Sequence, residues 1–322
     1  MLPQVIYTHG GGRLGNQVLR FAHWIAWALE HAGEVEVLNF SFWPYARYFD
    51  AWRPHPGCVF PRRDGRADRL AKRHAARPAW LLAACEKKTR LSRVVQAAGR
   101  VWPGGQAVDL DIVREESLAL DVEFLARVKR RAVTTCCGWK IANWPLVEKH
   151  EAALRELFRP AAEFAEPAAD FITQLRREHD LVIGVFIRQS DYREWHDGRF
   201  FFPATQYATW MRQIIALHPR RRVAFVVTSE WWHEPGLFSD LPVYFATGSA
   251  NAGGHWMRSW TELSLCDLIV GPPSTFSATA AFLGQVSLWP VAAWNQIMAL
   301  DQVFSGGMVA AARHPVFGLS VQ

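Results

Sequence analysis

Leu181-Val182-Ile183-Gly184-Val185-Phe186-Ile187-Arg188-Gln189-Ser190-Asp191-Tyr192 is a run of almost pure β-formers that ends on a charged turn. An unbroken apolar strand has both faces covered, which is the mark of a parallel sheet between helices. The segments that follow repeat the pattern. Helical spacing over 204–217 leads to a strand at 223–228 and another at 243–246. A helix at 259–266 leads to a strand at 268–270, and a helix at 274–283 to a last strand at 286–289. Upstream, 171–179 predicts a helix, and 160–168, rich in Ala, Pro and Glu, predicts a linker.

The N-terminal half reads the same way. Strands are expected at 4–8, 35–40 and 133–139, with helices at 16–31, 64–98 and 150–158. Strand–helix alternation of this kind gives two α/β domains with parallel sheets, 1–165 and 166–322. Ligands in such folds bind beyond the carboxyl ends of the strands, so the cleft between the halves is the expected site.

Three segments at strand ends hold chemistry. His9-Gly10-Gly11-Gly12-Arg13-Leu14-Gly15-Asn16-Gln17 joins a strand to a helix, and its glycines let the backbone approach an anion at the helix N-terminus. Gly10, Gly12 and Gly15 also satisfy the dinucleotide spacing, which leaves an NAD(P)- or flavin-dependent oxidoreductase as an alternative. That reading wants an acid near the end of the second strand, where Leu38-Asn39-Phe40 stands. Arg188 leaves the clearest strand, where a guanidinium can grip phosphate in two-pronged fashion at any working pH. Asp191, Glu194 and His196 follow as proton acceptors, and turn capping or pairing with Arg188 is the simpler role for Asp191. Gly271-Pro272-Pro273-Ser274-Thr275-Phe276 opens a helix. Ser274 and Thr275 suit an N-cap, and the same geometry makes an anion site.

Composition bounds the rest. Half of the 322 residues are apolar and 20% are charged, which excludes a chain that is mainly disordered. The net charge of +6 is local: residues 53–100 hold 13 Lys and Arg against 3 Asp and Glu. That block is either a solvated helical face or a surface for an anionic partner. A third class of function follows from it, a non-catalytic anion-binding protein. The five cysteines have no metal or redox spacing, which fits a reducing compartment. No secretory signal and no membrane-spanning run is visible, so a cytoplasmic protein is expected. Asp109-Leu110-Asp111 could hold a metal in a metal-dependent transferase but reads as a solvated turn away from a strand end. His23 and His218 lack ligand spacing. Most of the 16 Trp are expected in the core, with Trp195, Trp231 and Trp232 in loops.

Taken in order, the three segments resemble the fucosyltransferases of the GT-B superfamily. The closest are the bacterial α-1,2-fucosyltransferases, with the α-1,6- and protein-O-fucosyltransferases more distant. Gly12-Arg13-Leu14-Gly15-Asn16-Gln17 is similar to that family's Gly-rich Asn-Gln loop. Arg188, Asp191 and Tyr192 match its arginine-rich strand end, and Ser274-Thr275-Phe276-Ser277 its Ser-Thr-Phe-Ser segment. Gly138-Trp139 and Phe225–Glu230 are weaker echoes. Phe186 stands where the family has His. Gln189 and Ser190 replace its second Arg and its Gly. Thr279 and Ala280 stand near its paired Trp. The acid expected near Ser259 is absent, with Glu262 nearby.

The resemblance implies a GT-B-like fold of two Rossmann-like domains, acceptor side first and donor side second. It implies an inverting, metal-independent transferase that moves a sugar, usually L-fucose from GDP-fucose, to an acceptor hydroxyl, with no other cofactor. Arg188 and Asp191 would be catalytic, with Glu194 or His196 as a second choice of base. Gly12, Arg13, Gly15, Asn16, Gln17, Ser229, Glu262, Ser274, Thr275 and Phe276 would bind the donor. The expected acceptor is a glycan or lipid-linked oligosaccharide in polysaccharide biosynthesis. The basic 53–100 segment would touch a membrane surface from its inner face, and no nucleic acid is expected.

Overall fold

The computed structural model describes residues 2–9, 11–53, 58–62, 105–109, 118–138, 141–305 and 307–316. The chain divides into two compact units at Arg159/Pro160. The predicted helix at 64–98, and with it most of the basic block, lies outside the described residues.

In unit 1, β1 (Gln4–His9) is followed by α1 (Leu14–Glu30), β2 (Glu36–Asn39), the short α2 (Trp43–Ala46) and β3 (Val59–Phe60). Then come β4 (Gly105–Asp109), β5 (Leu118–Ala119), α3 (Val122–Lys129), β6 (Val133–Cys137), β7 (Ile141–Ala142), α4 (Trp144–Lys149) and α5 (Glu151–Leu157). The main sheet runs β3-β2-β1-β6-β4, and β5 pairs with β7 in a small second sheet. All its pairs are parallel except β2 with β3, so an expectation of purely parallel sheets fails at this edge. Two residues after a turn are too few to show strand periodicity. Asp109 closes β4, which corrects its reading as lying away from a strand end; Leu110 and Asp111 are outside the described residues.

Helix α1 is buried on nearly every side, which its apolar sequence allows. Phe21 packs on Phe42, Trp52 and Phe158 with ring centres 4.8 to 6.2 Å apart. Helix α3 starts where Asp121 accepts the Phe124 N–H at 2.9 Å, and α4 where Asn143 accepts that of Leu146 at 3.1 Å.

In unit 2, α6 (Ala162–Glu178) leads to β8 (Leu181–Ile187), α7 (Ala204–Leu217), β9 (Val223–Ser229) and β10 (Val243–Phe245). After these come α8 (Trp256–Leu265), β11 (Leu268–Gly271), α9 (Thr275–Gly284), β12 (Ser287–Pro290) and α10 (Gly307–Arg313). The expected linker at 160–168 is instead the start of α6. Its stripe of Phe164, Ala168, Ile172 and Leu175 is buried at helical spacing, and that spacing prevails over Pro167. The sheet is fully parallel in the order β10-β9-β8-β11-β12. All seven residues of β8 and all seven of β9 are buried.

Among the described residues, no helix is long and apolar enough to cross a membrane. No three His, Cys, Asp or Glu side chains among them converge on one point.

Two features of unit 1 are testable. Gly12 has φ +76°, and a Cβ there would stand 2.2 Å from Asn16 Nδ2 and 2.6 Å from its Cβ. Gly12→Ala therefore meets both the left-handed penalty of about 1–2 kcal/mol and a clash, and a lowered melting temperature is expected. His23 is buried, accepts the Asn143 N–H at Nδ1 (3.0 Å) and has its pKa lowered to about 3, by burial first and Arg20 second. The unfolded chain then binds a proton below about pH 6.5 that the fold excludes, so stability falls from pH 6.5 towards 3. Melting curves over that range should fall less steeply for His23→Gln, which keeps an acceptor; equal slopes would contradict the assignment.

Candidate functional site

Both sheets reverse strand order at one place. In unit 2 the chain moves from β8 outward through β9 to β10, then returns to the other side of β8 for β11 and β12. The carboxyl ends of β8 and β11 flank that switch point, where neighbouring loops diverge and leave room for a ligand. Arg188 follows β8 directly, and Ser274 opens α9 three residues after β11.

Strand alternation places Phe186 and Arg188 on the same side of β8. The Arg188 side chain is only 12% exposed. A guanidinium so far from water needs counter-charge. Asp191 Oδ1 lies 2.7 Å from its Nη2, and Glu230 Oε1 pairs with its Nη1. Ser190 Oγ joins the two acids, donating to Glu230 and standing 3.2 Å from Asp191. Partial burial alone would raise the Asp191 pKa, but the Arg188 charge and hydrogen bond outweigh it and hold the carboxyl below its usual range. The Tyr192 ring lies under the guanidinium, 5.5 Å from centre to carbon.

This cluster is tied to the start of α9. The buried Tyr192 hydroxyl donates to the Pro273 carbonyl, and burial pushes its pKa up, so it stays a donor. Phe186 stacks on Phe276 with ring centres 5.1 Å apart. Ser274 caps the helix by accepting the Phe276 N–H at 3.2 Å. A Cβ on Gly271 would stand 2.9 Å from the Phe186 carbonyl oxygen, so this close approach of β11 to β8 requires glycine. The structure thus gathers Arg188, Asp191, Ser274, Thr275 and Phe276 at one sheet edge.

Other predicted residues stand elsewhere or are engaged. Glu194 and His196 are exposed in the loop after Tyr192, where His196 has φ +49°. Glu262 is fully buried, and its carboxylate accepts from the Thr247 N–H and hydroxyl. Burial raises its pKa against the Thr247 hydrogen bonds and Arg258. Glu262 fastens the loop after β10 from inside. Ser229 is likewise engaged within the protein. Its buried hydroxyl accepts the Trp231 N–H at 3.1 Å and lies 2.9 Å from His233 Nε2. Burial lowers the pKa of His233.

In unit 1, β1 occupies the equivalent switch point, between β2 and β6. The loop after it starts α1 with Gly15 and Asn16 in the first turn, and Arg13 is exposed at the cap position without a capping side chain. Gln17, expected among the donor-binding residues, is engaged within the loop. It is buried, with its amide donating to the Gly11 carbonyl at 2.7 Å and accepting from Ser41 at 2.8 Å, so it pins the loop.

Glu230 enters the sequence reading only as the end of the weak Phe225–Glu230 echo, without a site role. Its role depends on register: Ile187 pairs with Ser229, so the residues that follow them, 188 and 230, leave the sheet side by side.

No protein-family model matches the chain, and no curated protein matches it by sequence. Solved structures do. A mutant of Arabidopsis thaliana FUT1 in complex with GDP is similar at TM-score 0.55 and 13% identity, over 96% of this chain and 75% of that one. A POFUT1 structure in complex with GDP-fucose is similar at TM-score 0.50 and 13% identity, over 91% and 99%. The chain therefore has the mixed α/β, GT-B-like fold of these fucosyltransferases, with two parallel-sheet regions.

Proposed function

We propose that the protein is a glycosyltransferase that takes a sugar from GDP-fucose and passes it, with inversion, to an acceptor hydroxyl. The single observation that supports this best is the convergence of Arg188 with the N-terminus of α9 at the β8/β11 switch point. The fold likeness to proteins solved with GDP and GDP-fucose adds to it.

As the glycosidic bond breaks, negative charge grows on the departing diphosphate. A fixed guanidinium and the free amides at a helix start meet that charge without reorganising, which is usually the largest catalytic contribution. Arg188 has to exchange carboxylate partners for phosphate, so Asp191 and Glu230 hold it ready before the donor arrives. Asp191 is the notable acid here, but its lowered pKa makes it a weak base. An oxocarbenium-like transition state asks little of a base, and the exposed Glu194 and His196 are the alternatives. In unit 1 the helix start at Gly15 and Asn16 carries no capping side chain and suits an anion. No residue here is assigned to a metal, and the acceptor is proposed only as a glycan or lipid-linked oligosaccharide.

Two results are expected. Arg188→Ala should lower turnover of GDP-fucose by about 100-fold or more while leaving the melting temperature measurable; wild-type turnover in that variant would refute the role. EDTA should leave the wild-type rate unchanged, and a loss restored by a divalent cation would refute a metal-free mechanism.

A further inference from the structure

We propose that Arg193 is a second cationic contact for the diphosphate that Arg188 would hold. The inference rests on the donor reading above and adds a residue to it. Arg193 ends the short turn Asp191–Arg193, and its guanidinium carbon stands 5.4 Å from the Phe201 ring centre and 5.2 Å from that of Trp231. The two rings are themselves in contact, 6.4 Å apart and nearly perpendicular. Trp231 adjoins Glu230, and its N–H is fixed on Ser229. The loops after β8 and β9 are therefore joined twice, by the Arg188 charge cluster and by the Arg193–Trp231 contact.

A cation held by ring faces is positioned without spending its N–H donors. Among the described residues, no carboxylate or other acceptor takes the Arg193 side chain, whereas Arg176, Arg212 and Arg222 of the same unit are paired with Asp267, Asp240 and Asp180. Arg193 is exposed, five residues beyond Arg188 in the loop that follows β8. Charge balance argues the same way. Arg188 with Asp191 and Glu230 sums to a net negative charge, which repels a diphosphate; Arg193 brings the cluster to neutrality before any carboxylate moves. Gln189 does not supply this charge. It points to the opposite side of the strand, is buried, and donates to the Phe202 carbonyl at 2.9 Å.

The test is calorimetric titration of the full chain with GDP and with inorganic pyrophosphate. It compares wild type, Arg193→Gln, Arg193→Lys and, as a charge control, Arg220→Gln in the turn before β9. Arg193→Gln should weaken both ligands by about tenfold or more, Arg193→Lys should fall between it and wild type, and Arg220→Gln should bind as wild type. Wild-type affinity in Arg193→Gln overturns the proposal. So does an Arg193→Lys variant as weak as Arg193→Gln, because charge is then not what acts. If wild type binds pyrophosphate through Arg193 but not GDP, the anion contact stands and the GDP-donor reading fails. If wild type binds neither, both fail.

Discussion

A guanidinium that is nearly removed from water costs several kcal/mol unless its charge is paired. Arg188 is such a group, and the loops of unit 2 are arranged around that demand. Two strands deliver the answer: β8 supplies Arg188 itself, with Asp191 in the turn beyond it, and β9 supplies Glu230 one residue after its last paired position. The seven buried residues of each strand hold the register that makes this meeting possible. A shift of one residue would turn Arg188 to the other side of the sheet.

The same demand explains where this chain departs from the arginine-rich strand end it resembles. Position 186 faces α9, and a phenylalanine there stacks on Phe276 and fixes that helix start beside the arginine. Position 189 faces the other way, and the buried Gln189 amide donates to the Phe202 carbonyl. Tyr192 links the two halves of the site through Pro273, and the approach of β11 at Gly271 leaves no space for a side chain. Packing and chemistry therefore share residues here, and a stability change is expected to accompany most substitutions that alter the site.

Much of the fold was legible because long apolar runs such as Leu181–Ile187 and Val223–Ser229 have one reading. The Ser274 cap was legible for a local reason, since hydroxyls before a helix serve the nearest amides. Other parts were not. The stretch 160–168 read as a linker from composition, although Phe164 and Ala168 already belonged to a helical stripe continued by Ile172 and Leu175. Ser229, Glu262 and Gln17 were expected as donor contacts from the resemblance, and the partners that hold them within the fold were not readable from it. The partner such a group finds depends on how the loops fold together, and Thr247 and Ser41 lie 15 and 24 residues from Glu262 and Gln17. Glu230 was hidden because its meeting with Arg188 is a property of strand pairing.

Under the proposed function, Arg188 is a phosphate ligand held in waiting by two acids. A crystal structure of the protein with GDP bound tests it most directly. The account predicts diphosphate oxygens on the Arg188 Nη atoms, with at least one of Asp191 and Glu230 withdrawn from it. GDP bound elsewhere, with Arg188 still paired to both carboxylates, would contradict it.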